Sequence, residues 1–444
     1  MPAPERVDEK AVAPRPGAPA IAYVMSRFPK VTETFVLYEA VALLDAGREV
    51  RLYPLLLEEA QVQHPEVDRV ASRVRFRPFL DLGVLGGSAA LACTRPLRTA
   101  GAFFALVGAY WRSPKRLAQG LALFPKTLAY ARDMEREGVR HVHAHFANHP
   151  ATVAWMIHRL TRIPFSFTAH GSDLHVDQTG LAQKLRAAAF GVQISDYNRR
   201  FVLERVGEWA TSRLRVVRCG VDLEAFREVP ERARPEPTRR ASEPLSILCV
   251  ASLRRVKGHD HLLDALKSLK DAAVPFRCRL VGDGPLRGAL AARIDELGLA
   301  ARVELLGARS RPDVLAELAR ADVVCLTSVQ DAKGRREGIP VSLMEAMACG
   351  CPVVASDLSG IPELVTDGVE GMLAPPGDSE ALALALTRLW EDPDLRHQMG
   401  KAGRARVASE YDLAKNSADL IALFDESLGP RPEARPPRPK LVAG

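Results

Sequence analysis

Glu337 and Glu345 stand eight positions apart in the run Arg336-Glu337-Gly338-Ile339-Pro340-Val341-Ser342-Leu343-Met344-Glu345-Ala346-Met347-Ala348. Pro340 suits the first position of a helix, where its missing N–H has no partner to lose. The spacing of Leu343, Met344, Ala346 and Met347 continues that helix until Gly350 and Pro352 stop it. Glu337 then lies in the loop before the helix, and Glu345 lies roughly 8 Å along its axis. Between them are free backbone N–H groups and the positive end of the helix dipole, a seat for phosphate. An anion seat flanked by two hydroxyl-binding carboxylates fits a nucleotide-sugar. The same spacing also describes an amphipathic helix with two surface glutamates, so the rest of the chain must decide.

Other residues bear on that choice. Ala169-His170-Gly171-Ser172-Asp173 follows the predicted strand Phe165–Thr168, which puts His170 at the C-terminal end of a strand, where ligands bind in parallel sheets. Ser252-Leu253-Arg254-Arg255-Val256-Lys257-Gly258-His259 follows the run Ile247–Val250, so Arg254, Arg255 and Lys257 occupy a strand-end loop. Cations there can neutralise a departing diphosphate. His141, His143 and His145 alternate and so share one strand face. That spacing is seen in metal-dependent hydrolases, but too few strand–helix repeats surround it for a hydrolase barrel, and structural or substrate-facing imidazoles are the reading. No bound metal is expected. Gly282-Asp283-Gly284-Pro285 with Glu304 further on approximates a dinucleotide fingerprint. Its third glycine comes one residue late, and it follows the second strand of its unit, so a tight strand-to-helix turn is the better reading.

The elements that must position these groups alternate. Strands are predicted at 21–24, 50–53, 139–146, 165–168 and 191–194, with helices at 32–44, across about 80–137, and at 151–160. A Pro/Arg-rich run, 231–244, reads as a linker. The alternation restarts with strands at 247–250, 277–281, 303–306, 323–326 and 353–355, and helices at 259–271, 285–297 and 312–319. Helices at about 378–391 and 396–426 close the chain. The fold class is α/β, two Rossmann-like doubly wound domains facing a cleft. The division is a disordered 1–19, a first domain 20–230, the linker 231–244, a second domain 245–395, helices 396–428 packing back on the first domain, and a disordered tail 429–444.

At 444 residues and 47% hydrophobic composition, two sizeable cores can form. No run of ~20 apolar residues suggests a spanning helix, and residues 1–20 lack the apolar core of a signal peptide. Seven scattered cysteines without paired spacing suit a reducing cytoplasm. The net charge is +7, and residues 67–116 hold nine Arg/Lys against Asp68 and Asp81. Phe76, Phe79, Leu80, Phe103, Phe104, Leu106, Tyr110 and Trp111 are interleaved with them. Apolar plus basic suits an anionic membrane surface, or equally a buried helical hairpin with basic edges. No nucleic-acid-binding module accompanies the charge.

Taken in order, Ala169–Asp173, Ser252–Gly258, Val281–Arg287, Glu337–Ala348 and Gly360-Ile361-Pro362-Glu363 resemble the motifs of the retaining GT-B glycosyltransferases of family 4. The resemblance runs from about residue 20 to 425. Ser26-Arg27-Phe28-Pro29-Lys30-Val31-Thr32-Glu33-Thr34-Phe35, with His143-Ala144-His145-Phe146, resembles the exopolysaccharide (colanic-acid type) subgroup. It implies that Glu345 holds the ribose and that Glu337 with the backbone of Gly338, Ile339, Pro340 and Val341 holds the donor hexose and phosphate. Lys257 would contact the diphosphate, and His170 would face the donor sugar. The segment carrying Ser26, Arg27, Thr32 and Thr34 would lie near diphosphate or acceptor. It further implies a hexose moved from a nucleotide-sugar to a lipid-linked or other saccharide acceptor, with retention, without metal or other cofactor, at the inner face of the cytoplasmic membrane. The chain departs from the family at Ala251-Ser252, where Gly-Arg is common; Arg254 or Arg255 is left to supply the missing cation. A sugar-nucleotide epimerase and a non-catalytic nucleotide-sugar-binding protein are the alternatives.

Overall fold

The computed structural model describes residues 20–30, 33–58, 64–79, 81–227 and 243–429. The expected disordered segment 1–19, most of the linker and nearly all of the tail lie outside them. Two six-stranded sheets carry the fold, and every named strand pairing in them is parallel. The first holds β1 Ala20–Phe28, β2 Glu49–Leu57, β3 Val139–His145, β4 Phe165–Ala169, β5 Phe190–Gln193 and β6 Leu214–Val216, in the order β2-β1-β3-β4-β5-β6. The second holds β7 Leu245–Val250, β8 Phe276–Val281, β9 Val303–Gly307, β10 Val323–Leu326, β11 Val353–Ser356 and β12 Gly371–Ala374, in the order β12-β11-β10-β7-β8-β9.

Several inner strands are buried along their whole length, as in Val323–Leu326 and Val353–Ser356. Helices on both faces of a parallel sheet demand this, and it is why short apolar runs marked the strands. The short β6 and β12 have no such run. The helical stretch expected across about 80–137 is three helices, Leu82–Thr94, Pro96–Tyr110 and Pro114–Arg136, preceded by a short one, Glu66–Ala71. None of the seven cysteines is joined in a disulfide.

The helix expected over 396–426 is two, Pro393–Glu410 and Leu413–Leu428. Asp412 breaks it, because its side chain caps the second helix by accepting from Ala414 N at 2.9 Å. The break is also pinned from the first domain: Val221 N donates to Tyr411 O, and Leu413 N donates to Val221 O. A Cβ on Gly220 would lie 2.5 Å from Leu413, so only glycine admits this crossing. The last helix then buries Leu420 and Phe424 against Val36, Leu37 and Leu43 of the first domain.

Candidate functional site

The loop after β7 is laced to the loop after β8. Ala251 N donates to Val281 O, and Leu253 N to Asp283 O. A Cβ on Gly282 would lie 2.0 Å from Ala251 O, and one on Gly284 would lie 2.6 Å from Leu253 O. These glycines therefore serve the close approach of two strand-end loops. The β7 loop ends in a single turn, Arg255–Lys257, and Gly258, whose φ of 66° and contact with Thr327 O exclude a side chain. That turn directs Lys257 Nζ onto Glu337 Oε2 at 2.7 Å, with both side chains largely shielded (18% and 16% exposed). The two residues expected to grip diphosphate and hexose thus grip each other. Arg254 and Arg255 are exposed on the same loop.

Glu337 lies in the loop before the helix Val341–Ala348. Pro340 is the extended residue capping that helix rather than its first turn, one position earlier than expected, because its ψ is 125°. The first N–H groups of the helix consequently open onto the Glu337 loop without intrahelical partners. Leu343, Met344, Ala346 and Met347 are buried, leaving Ser342 and Glu345 on the less buried side. Burial pushes the Glu345 carboxyl up to about 7, and Arg311 pulls the other way.

His170 approaches from the first domain. Asp173 folds its loop by accepting from Ala147 N, His170 N and Gly171 N at 2.7, 3.1 and 2.8 Å. A Cβ on Gly171 would lie 3.1 Å from Gly338 N, and one on Gly338 only 2.2 Å from His170 O. The two loops singled out in the sequence therefore meet backbone to backbone across the cleft. The His170 ring is turned inward. Its Nε2 is 3.1 Å from His145 Nδ1 and its Nδ1 is 4.0 Å from Cys219 Sγ. Phe35 packs on it with ring centres 4.4 Å apart. Burial first, then His145, holds its pKa well below the usual range, so the ring is neutral. What His170 offers the opposite loop is its carbonyl.

Burial also keeps His141 and His143 neutral, with His141 down to about 3. The two nitrogens of His143 meet Ser166 Oγ and Thr168 Oγ1 at 2.7 and 2.9 Å, and His141 meets Ser166 and Ser427. Glu39, His143 and His145 offer ligand atoms within 4.8 Å of one another, but these hydroxyl bonds already account for both nitrogens of His143.

Ser26 and Arg27 lie on β1, not in a loop as expected, because the strand continues to Phe28. They line a cleft of about 320 Å³ with Lys30, Arg116, Phe146, Asn148 and Asp177 of the first domain and Arg335 of the second. Thr34 opens the helix Thr34–Asp45, and Thr32 lies outside the described residues. Sequence reasoning missed three bridges. Arg336 donates to Tyr197 OH at 2.7 Å. Glu363 accepts from Asp196 N and Tyr197 N at 2.9 and 2.6 Å, so this carboxylate caps a helix of the other domain. Arg311 pairs with Glu66. Each joins residues far apart in the chain, which no local pattern marks.

Residues 231–406 match the family described as glycosyl transferases group 1. The colanic acid biosynthesis glycosyltransferase named WcaL of Salmonella typhimurium is 30% identical over 418 residues, covering 91% of this chain and 99% of that protein. The amylovoran biosynthesis glycosyltransferase AmsK of Erwinia amylovora is 34% identical over 200 residues, 45% of this chain and 47% of that protein. Among solved structures, Anabaena HepE in complex with UDP-glucose superposes with a TM-score of 0.67 at 19% identity, covering 91% of this chain and 99% of that one. A glycosyltransferase of Rickettsia africae gives 0.67 at 16% identity, covering 93% and 99%. The fold is therefore GT-B, and with a full-length relative at this identity the chain belongs to the group 1 glycosyltransferases.

Proposed function

We propose that the protein is a retaining hexosyltransferase, moving a hexose from a nucleotide-sugar to a lipid-linked saccharide in exopolysaccharide biosynthesis. The observation that carries this is the Lys257–Glu337 pair at the mouth of the helix Val341–Ala348, with Glu345 further along and the His170–Gly171 loop closing from above. The named relatives suggest the exopolysaccharide setting, and UDP-glucose on HepE suggests the class of donor.

An arriving diphosphate exchanges partners with the pair. Lys257 turns to the phosphate oxygens, and Glu337 is released to accept from hexose hydroxyls. Glu345 receives the ribose hydroxyls. As the sugar–oxygen bond breaks, charge grows on the leaving phosphate oxygen, where Lys257 and the helix amides stabilise it. Fixed cations do here what a bound metal does elsewhere, so the reaction is read as metal-independent and cofactor-free. Retention follows from front-face attack, in which the acceptor hydroxyl enters on the face the phosphate leaves and gives that oxygen its proton. The cleft lined by Ser26, Arg27 and Arg116 is the place for the acceptor.

The membrane face is narrower than residues 67–116. Arg69, Arg73, Arg75, Arg77, Arg95 and Arg116 already pair with carboxylates. Phe76 and Phe79 box the buried Lys126 at 4.3 and 4.8 Å. What remains outward includes Leu82 and Leu85 and, further along, Leu97, Phe104 and Trp111, exposed by 88%, 69% and 64%, with Arg98, Arg112 and Lys115 among them. From Leu82 to Arg132 the chain has no carboxylate. This surface suits anionic lipid at the inner face of the cytoplasmic membrane. No helix among the described residues is long and apolar enough to cross a membrane.

The test is thermal stabilisation by UDP-, GDP-, ADP- and TDP-sugars, with NADH as control. A ligand at ~100 times its dissociation constant adds about 2.7 kcal/mol. A shift with one nucleotide-sugar is expected and names the base; a shift with NADH alone, or with none of the sugars, overturns the reading.

A further inference from the structure

Arg311 opens the helix Arg311–Arg320 of the second domain, yet its guanidinium is held by the first. Its Nη1 donates to Glu66 Oε1 at 2.7 Å, and the two side chains are only 13% and 20% exposed. The guanidinium carbon stands 4.6 Å from the ring centre of Tyr38 and 5.8 Å from that of Phe226. The pair is joined by one hydrogen bond: Arg311 Nε and Glu66 Oε2 are both buried without a hydrogen-bond partner. Shielding two charges behind a single bond is no gain over apolar packing, so stability alone does not explain the arrangement. Arg311 is also the charged group that opposes the effect of burial on Glu345.

We propose that Arg311 is a positioning residue that couples closure of the cleft to the donor site: in the closed arrangement Glu66 and Tyr38 hold its guanidinium where its charge faces Glu345. This rests on reading Glu345 as the ribose-binding carboxylate. When the domains part, Glu66 and Tyr38 leave with the first domain, and the long side chain is free to swing into solvent. A donor then meets a prepared Glu345 only in the closed cleft, and binding and closure favour each other. Coupling of this kind is reciprocal: what loosens the clasp weakens the donor, and the donor tightens the clasp.

The experiment compares the full-length protein with Glu66→Gln, Arg311→Gln and the reversal Glu66→Arg/Arg311→Glu. UDP-glucose and GDP-mannose are titrated separately by calorimetry, and small-angle scattering reads closure with and without each. Both single variants are expected to weaken whichever probe the parent binds about tenfold, within the usual span of coupling between sites, and to enlarge the free protein. The reversal restores the ion pair and the compact radius but not the affinity, because a carboxylate then faces Glu345. Single variants as compact and as tight-binding as the parent overturn the proposal. So does a reversal that recovers full affinity, which reduces the pair to a strut. A parent that binds neither probe counts against the donor reading, and the clasp is then judged on scattering alone, where an Arg311→Gln radius equal to the parent's overturns it.

Discussion

Glu345→Gln should make the protein more stable and less able to bind its donor, and only above about pH 5. The carboxyl has an ordinary value of 4.5 and is pushed to about 7 in the fold. Below 4.5 it is protonated in both folded and unfolded chains and costs nothing. Between 4.5 and 7 the unfolded chain releases the proton while the folded one keeps it, so stability falls as pH rises. Above 7 the whole cost is present. At 1.36 kcal/mol for each tenfold change in acidity, that cost is roughly 3 kcal/mol. Glutamine has nearly the same shape and no charge, and Arg311 keeps Glu66 as its partner. For a domain of this size about 2–4 °C accompany each kcal/mol, so the variant should melt several degrees higher at pH 8. The assay is melting temperature of parent and variant from pH 4.5 to 8.5, with donor affinity measured alongside. The gap between the curves should close toward pH 4.5. Donor affinity of the parent should fall below pH 7, as the ionised fraction shrinks. A gap that is constant with pH refutes the assignment of the charge, and a variant that binds donor as the parent does refutes its role.

Three further outcomes follow from the same geometry. Lys257→Met should lower turnover about 100-fold or more, on the scale of removing one group that stabilises developing charge; near-parent turnover at saturating donor would remove Lys257 from the chemistry. Gly338→Ala puts a Cβ 2.2 Å from His170 O, so it should abolish transfer while leaving melting nearly unchanged, and scattering should show a cleft that no longer closes on donor. Replacing Leu97, Phe104 and Trp111 together by serine should cut co-flotation with anionic vesicles without affecting donor affinity; equal flotation, or flotation indifferent to salt, would place the membrane contact elsewhere.

How much was legible in the chain depended on distance along it. The helix His259–Asp271 was read to the residue, because Gly258 starts it and five apolar positions repeat on one face. His170 could be placed at a strand end because Phe165-Ser166-Phe167-Thr168 alternates aromatic and β-branched or small residues, a local strand pattern. Glu337 and Glu345 stand on either side of Pro340, so their relation to the helix start was local. The break at Asp412 was not legible: Pro393–Glu410 and Leu413–Leu428 both carry helical periodicity, and the cap that separates them is supported by Val221 on the other domain. The inward turn of the His170 ring was equally hidden, since His145, Cys219 and Phe35 come from three separate elements. The motif around Gly360 carried the resemblance without a role of its own, and Glu363 binds backbone N–H groups of Asp196 and Tyr197. A carboxylate and a helix N-terminus attract each other wherever they meet, and the sequence does not say which helix will be there.

On the reading proposed above, in which Lys257 takes the diphosphate and Glu337 the hexose, the pair makes the site both preorganised and selective. Two shielded charges sit 2.7 Å apart and satisfy each other, so neither is left buried alone. A diphosphate that draws Lys257 away exposes Glu337, and an unpaired shielded carboxylate is costly. Only a ligand that also presents hydroxyls to Glu337 removes that cost. A bare nucleoside diphosphate satisfies the lysine and strands the glutamate, whereas the intact donor satisfies both. The pair therefore spends part of the diphosphate's binding energy on sensing whether a sugar is attached. That energy is returned when Glu337 is occupied, and lost again when the hexose departs, which favours release of the spent nucleotide. On that reading the two residues that neutralise each other also set the order of events: donor in, hexose transferred, nucleotide out.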